Sequence, residues 1–422
     1  MEKSESKQAI DYRTIFAGDD TGLLKKLKMS LRIEKDVIVE PSKKRNRKKR
    51  TLDEMLAGEE ENNPKQDAIV FEDNGVIRDK AEANLKQLDK FGKQEKDEGI
   101  QFLQWSLGQD NNDYVSYLRG KSNVVEVFDT QTDNVFIQKS FKEELGIIKG
   151  IASLGDNIFN LKHAIIDEKG KMIVSKMEKL QEQKEKSKKS SKKLDKQQGS
   201  NKSEDFTVDV KSEKVHFMVQ SPFQRNQVAI GSKDALLQIW DVSQQNNKPV
   251  WNARNLPNDE LDLQIPIWDT DLSYLGSNHN FVVCTAYGDV REYDTREGRR
   301  RPVVNTRFLP KGQDDLYLSK ILQSKKYDNH VYVANQEGHI CVLDRKMNYK
   351  MIKKLVGNKG SIRSLTSYVS TVDNCEYVLS AGCDRHVRVF NAQSELQKTT
   401  ELTHAYLKQK LNCVLISNNQ KI

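Results

Sequence analysis

Four segments of the chain repeat one pattern, Gln227–Asp241, Phe281–Asp294, Val331–Asp344 and Tyr377–Asn391. Each has an apolar run, a turn rich in Gly, Asp or Asn, a second apolar run, and an aromatic residue or Leu followed by Asp or Asn. Apolar runs of this length on either side of a Gly/Asx turn read as a β-hairpin. The closing residues Asp241, Asp294, Asp344 and Asn391 lie 53, 50 and 47 residues apart. A near-constant period of that size implies one supersecondary unit that buries its faces against copies of itself.

The strand-turn-strand content and the Trp240-Asp241 type of ending point to blades of a WD40 β-propeller. The same pattern occurs earlier, in Thr14–Leu27 with its turn at Gly18–Gly22, and more weakly in the run ending at Val124–Asp129. Between the hairpins, Val215–Val219, Ile267–Leu275, Leu318–Leu322 and Ile362–Leu365 are expected as inner strands. Val250–Ala253, Val303–Phe308 and Met351–Leu355 are expected as outer strands, whose solvent-facing side explains their Lys and Arg. Gly99–Phe141 reads as one blade and Leu145–Val174 as most of another. The terminal strand Leu411–Ile416 has no hairpin after it, and the hairpin near Ile15 has no inner strand before it. Sharing one blade between the two ends closes the ring and removes two open sheet edges. The expected fold is all-β, a seven-bladed WD40 propeller over residues 10–417.

Two charged segments, 41–99 and 171–208, read as largely disordered insertions. The net charge is +8, yet Lys171–Lys202 alone holds eleven lysines against three Glu and one Asp. The rest of the chain is near neutral, which argues against a large DNA-binding face. The lysine-rich run suits a solvated segment or non-sequence-specific contact with RNA or an acidic partner. Lys43, Lys44, Arg45, Arg47, Lys48, Lys49 and Arg50 form a second cationic run. It reads as a nuclear import signal, as a contact for RNA phosphate, or as a merely solvated run. No aromatic residue interleaves it, so base stacking is not indicated there. Thr51-Leu52-Asp53-Glu54 has the form of a capping box. In Asp79–Lys96, the spacing of Leu85, Leu88 and Phe91 predicts a helical face.

Catalytic signatures are missing: there is no P-loop, GxSxG, HExxH or Rossmann glycine pattern. The chain is not expected to be an enzyme, and no cofactor is expected. Cys284, Cys341, Cys375, Cys383 and Cys413 contain no CxxC pair and read as reduced, buried thiols. No Cys/His set has metal-ligand spacing, so no metal is expected. Met1–Gln8 has no apolar signal core, and no window approaches the roughly 18 apolar residues of a membrane span. The expected compartment is cytosol or nucleus, with no membrane partner. His386 reads as a structural hydrogen-bonder, and Asp234, Asp289 and Asp384 as turn caps.

What remains is recognition, and one stretch stands out. Arg254–Asp271 joins two repeats, too polar for a core strand and too apolar for a plain linker. Asn258 and Asp259 can cap a short turn, and Leu261 and Leu263 are expected to tuck under the blades. Trp268 is placed at the start of an inner strand. The stretch reads both as an ordered blade-to-blade crossover and as a docking surface built from its acids. The candidate partner-binding residues are Arg254, Asn255, Asn258, Asp259, Asp262, Trp268, Asp269 and Asp271. Arg299, Arg300 and Arg301, in the next repeat, can meet a phosphate or carboxylate.

At these residues the chain resembles a known family. The run Arg254-Asn255…Asn258-Asp259-x-Leu261-Asp262-Leu263-x-x-Pro266-Ile267-Trp268-Asp269-x-Asp271 is similar to the hallmark of the WD repeat-containing protein 74 family and its fungal counterparts. Ala17-Gly18…Thr21-Gly22-Leu23-Leu24-Lys25, Gly231…Leu236–Asp241, Arg300–Val303, Gly360–Arg363 and Leu411–Leu415 match as well. The resemblance covers most of the repeats but neither charged segment. It implies a seven-bladed, non-enzymatic protein of the nucleus and nucleolus. Such a protein joins pre-60S ribosomal particles as a monomer within a large complex, and an AAA-type ATPase releases it. The implied partners are ribosomal proteins, assembly factors and rRNA. The chain ends at Ile422, where relatives often carry a basic tail, so no role of that tail is carried over. Two other readings stand beside it. Tyr293-Asp294-Thr295-Arg296 has the W-D-x-R shape of cullin ubiquitin ligase substrate receptors, and a generic nuclear scaffold needs no ribosomal tie.

Overall fold

A computed structural model describes residues 9–34, 80–108, 111–141, 144–155, 157–177, 205–243, 248–307, 317–393 and 398–418. They form seven sheets, each built on four antiparallel strands and each one blade of a closed propeller. The first blade has the order β29-β1-β2-β3, from Leu411–Ile416, Ala9–Asp19, Leu24–Glu34 and Lys80–Phe91. The second holds β4–β7 (Ile100–Trp105, Tyr114–Arg119, Val124–Asp129, Asn134–Ser140). The third holds β8–β11 (Ile148–Leu154, Lys162–Asp167, Lys171–Lys176, Phe206–Asp209). The fourth holds β12–β15 (Val215–Gln220, Gln227–Ser232, Gln238–Asp241, Trp251–Asn252), and the fifth β16–β19 (Asp269–Tyr274, Asn280–Thr285, Asp289–Asp294, Val304–Arg307). The sixth holds β20–β23 (Leu318–Gln323, His330–Asn335, Ile340–Asp344, Lys350–Val356). The seventh holds β24, β25, β26 and β28 (Ile362–Val369, Glu376–Gly382, His386–Asn391, Thr403–Tyr406). Between its last two strands the seventh blade sends out β27 (Lys398–Thr400), which pairs parallel to β23 and covers the sixth blade's outer edge.

The expected closure by shared ends is present. Ile416 pairs with Ile15, and Val414 with Ala17, so the last strand is the inner strand of the first blade. The apolar core is not central. It is divided into seven clusters, one at each blade–blade contact. Leu379, Val389 and Leu411, for example, bridge the seventh blade and the first. Stacking neighbours, rather than folding one sheet on itself, is what buries both faces of each blade.

The Asp or Asn that closes each repeat has a local physical role. The side chains of Asp241, Asp294, Asp344 and Asn391 each accept the amide of the residue two positions on, at 2.8–2.9 Å. Each is an Asx turn that reverses the chain toward the outer strand, which is why the pattern recurs at that point. Of the three turn acids expected as caps, Asp384 accepts the His386 amide at 3.3 Å. Asp234 and Asp289 instead hold Lys214 and Arg291.

Residues 80–91 are a correction. The predicted helical face of Leu85, Leu88 and Phe91 belongs to strand β3, paired along β2. Lys26 pairs with Asp89 and Leu27 with Gln87, so Leu88 is an extra, bulged residue. The bulge flips the strand's parity: Leu85 packs toward the seventh blade and Phe91 toward the second. Lys171–Lys176 and Phe206–Asp209, within the range read as a lysine-rich insertion, are likewise blade strands. Thr51–Glu54 and Lys43–Arg50 lie outside the described residues.

Because the four strands alternate in direction, each blade's second-to-third turn and its crossover to the next blade share one end of the ring. The first-to-second turns share the other.

Candidate functional site: the crossover between the fourth and fifth blades

The crossover runs from Ala253, buried at the end of β15, to Trp268, which bridges to Lys233 just before β16. Its ends are tied together, because the Asn255 side-chain amide donates to the Ile265 carbonyl at 2.8 Å. Its tip is built by Asp259, whose Oδ1 accepts the amides of Leu261 and Leu263 at 2.9 and 2.8 Å. Asn258 Nδ2 reaches the carboxylate of Asp262, which sits at φ 59° in the left-handed region that Asn and Asp tolerate. The expectation that Asn258 and Asp259 cap a turn is met. Their polar atoms hold the loop in shape, which makes it a compact, self-bonded excursion.

Leu261 and Leu263 do not tuck under the blades. They are 78% and 60% exposed. The Asp259 side chain fixes the backbone of the tip at both residues, and their side chains stand in solvent. An exposed apolar pair on an ordered loop has the form of the contacts that loops on rigid scaffolds can offer.

Asp269 and Asp271 are also corrected, since both are buried. Burial pushes the Asp269 carboxyl up to about 7, with Arg291 nearby pulling the other way. Asp271 accepts the Ile321 amide at 3.1 Å and lies 3.3 Å from Lys320 Nζ, which fastens the fifth blade to the sixth. Asp271 thus holds two blades together, whereas Asp269 is a buried carboxyl of the fifth blade with Oδ1 unpartnered, and neither acid is on the exposed surface of the crossover.

Trp268 is half-buried in a ring cluster. Tyr317, Tyr287 and His216 meet it edge-on, with centroids 5.7, 6.3 and 6.3 Å away. Lys233 Nζ stands 4.0 Å from its ring centroid, a cation–π contact. His216 is driven down to about 4 by burial first, then by Lys320 and Lys149. Lys233 was not foreseen, since 35 residues separate it from Trp268 and only the bridge between them brings them together.

Arg299, Arg300 and Arg301 are exposed, and the Arg254 amide donates to the Arg300 carbonyl at 2.8 Å. The loop of arginines therefore abuts the start of the crossover, and exposed Arg254 joins them. The structure brings Arg254, Arg299, Arg300 and Arg301 beside the crossover while withdrawing Asp269 and Asp271 from it. Arg296, the last residue of the W-D-x-R-like run, is turned onto its neighbour Asp294, with Nη2 2.6 Å from Oδ2.

No protein-family model matches the chain. Curated relatives do. Human WD repeat-containing protein 74 is 35% identical over 201 residues, 47% of this chain and 48% of the relative. Over about half its length the chain is similar to WD repeat-containing protein 74. The mouse protein of that name is 33% identical over the same shares. Ribosome biogenesis protein NSA1 of Kluyveromyces lactis is 29% identical over 179 residues, 39% of this chain and 40% of the relative. The chain spans about half the length of the relatives it matches.

Proposed function

We propose that the chain is a non-enzymatic assembly factor in ribosome biogenesis. It acts in the nucleus and nucleolus on precursors of the large subunit, and docks through the tip of the 254–268 crossover. The observation that carries this reading is the similarity to a relative named for ribosome biogenesis. The closed propeller supports a scaffold role, because its loops are held by a rigid ring. The crossover supports a protein contact there, with Leu261 and Leu263 as apolar anchors and Arg254 and Arg299–Arg301 beside them. Release by an AAA-type ATPase belongs to the same reading. Lys43–Arg50 serves it as the import signal.

The test is sedimentation of the tagged protein. Wild type comigrates with large-subunit precursors, and its depletion causes large-subunit rRNA precursors to accumulate. Leu261→Asp with Leu263→Asp leaves the thermal midpoint unchanged, since both side chains are exposed, but shifts the protein to the top of the gradient. A wild-type protein that never enters precursor fractions, with normal rRNA processing on depletion, refutes the reading and leaves the generic nuclear scaffold.

A further inference from the structure

The crossover end of the seventh and first blades carries a second surface, across the ring from the 254–268 crossover. Lys359, Arg363, Arg385, Lys408 and Lys410 are all exposed there. They come from separate stretches of chain, and backbone hydrogen bonds bring these together. The Arg385 carbonyl accepts the Leu407 amide at 2.9 Å, the Lys410 carbonyl accepts the Asp20 amide at 3.0 Å, and the Ser361 carbonyl accepts the Cys383 amide at 3.0 Å. Arg363 lies against the side chain of Asn412, in the strand that closes the ring.

Asp20 and Asp384 lie beside these cations, but the five cations outnumber them. Among the described residues none of these five cations has a carboxylate partner in an ion pair. The carboxylate nearest in the turn, Asp384, is taken by Arg388. Arg385 and Lys408 have φ of 66° and 67°. A left-handed backbone favours Gly or Asn, and an L-residue with a long side chain is strained there. Two turns thus place a cation where local sterics favour a smaller residue.

An aromatic surface lies directly beside these charges. Tyr406 is 55% exposed on the outer strand β28, and is the register partner of His386, next to Arg385. The Tyr406 and His386 rings are 5.1 Å apart, and His404 meets His386 edge-on at 5.3 Å. Cations that follow a phosphate backbone, next to an exposed ring supported from behind, are the two components of single-strand nucleic acid binding. An acidic peptide would use the charges but has no need of the ring. A duplex keeps its bases stacked on each other and would leave the ring unused.

We propose that this surface binds a single-stranded RNA segment, with phosphates on Lys359, Arg363, Arg385, Lys408 and Lys410 and a base stacked on Tyr406. None of these residues belongs to the 254–268 crossover, so this inference and the assembly reading can fail separately.

The test uses the full chain and a fluorescein-labelled oligouridylate of roughly 15 nucleotides, followed by anisotropy across a range of KCl concentrations. Arg385→Gln/Lys408→Gln/Lys410→Gln weakens binding about tenfold or more near physiological salt. It flattens the log–log salt slope by about 2, the value for three phosphate contacts on a single strand. Tyr406→Ala weakens binding about tenfold while Tyr406→Phe stays near wild type. Each variant is repeated in a chain whose Lys43–Arg50 cations are changed to Gln, so that this run cannot mask the patch. The substituted side chains of the patch, Arg385, Tyr406, Lys408 and Lys410, are all exposed. Should the triple variant nevertheless fold poorly, Lys410→Gln and Tyr406→Ala carry the test singly. Wild-type affinity in the triple variant and in Tyr406→Ala, in both backgrounds, overturns the proposal. Binding that ignores Tyr406→Ala and is competed equally by polyglutamate also overturns it, and assigns the patch to an acidic protein.

Discussion

Asp271 separates two roles that its sequence context permits, a docking acid or a fastener between blades. Its Oδ2 accepts the Ile321 amide at 3.1 Å and its Oδ1 lies 3.3 Å from Lys320 Nζ. Asp271 and Ile321 are both buried, on the inner strands of neighbouring blades. Asp271→Ala removes an ionised acceptor and leaves a buried amide without a partner. A hydrogen bond to a charged group contributes about 1.5–3 kcal/mol, and an orphaned buried amide costs a similar amount to leave unmade. The Lys320 side chain is 33% exposed, so its ion pair adds under about 1 kcal/mol. The expected loss is about 2–3 kcal/mol, a fall in thermal midpoint of roughly 3–6 °C for a domain of this size. Asp271→Asn keeps an acceptor for the Ile321 amide and should recover about half of the loss. Urea denaturation followed by tryptophan fluorescence gives the free energies. A docking acid predicts the reverse pattern: unchanged stability with lost association. Asp271→Ala within about 0.5 kcal/mol of wild type, a typical surface-substitution effect, would refute the fastener.

Three further outcomes follow from the same geometry. Burial raises the Asp269 carboxyl to about 7, above its unfolded value of about 3.9. Its contribution is therefore fully present below about pH 4 and is lost as pH rises through about 7. Asp269→Asn, which mimics the protonated carboxyl, should gain stability relative to wild type between about pH 5 and pH 8, and equal urea midpoint differences at both ends would refute this. Ile416, 2% exposed where the last strand meets the first and seventh blades, should lose about 2–4 kcal/mol as Ala, read from the urea midpoint. At Gly150 an added Cβ would lie 2.3 Å from Met218 Cβ on the next inner strand, so Gly150→Ala should cost about 1–3 kcal/mol through overpacking. A calorimetric midpoint equal to wild type would show that the two strands can separate freely.

The ring was legible because its signals are local. Period-two runs and Asx turns specify hairpins within about 15 residues, and a leftover strand at one end with a hairpin lacking its inner strand at the other required closure. The strand at Lys80–Phe91 was misread because one bulged residue, Leu88, converts strand alternation into spacing of three. Leu261 and Leu263 were misread because composition says only that they are apolar. In the fold they stand in solvent on a tip whose backbone the Asp259 side chain fixes. Asp269 and Asp271 sit in a motif of alternating acids and apolar residues, but the crossover ends just before them and the strand draws them inward. The cation–aromatic surface could not be read at all. Its members come from separate stretches between Lys359 and Lys410, and a whole-chain charge count dominated by Lys171–Lys202 hides them.

The positions of the two proposed surfaces have a consequence of their own. Strand alternation puts the 254–268 crossover and the Lys359–Lys410 surface at the same end of the ring, three blades apart around it. A partner broad enough to cover that end meets both at once. The second contact then forms at an effective concentration on the order of millimolar, because the ring allows little relative motion. If each contact alone has a dissociation constant of about 10 μM, losing either one weakens association with an isolated precursor particle roughly a hundredfold. Two surfaces that served separate particles would instead act additively, and losing one would reduce total binding by about half. Quantitative pull-down of purified particles by Leu261→Asp/Leu263→Asp, by the cation triple variant and by their combination distinguishes the cases. A halving in each of the first two refutes simultaneous engagement, whereas a near-complete loss in each supports it. The rigid ring would then be the element that couples a protein contact to an RNA contact.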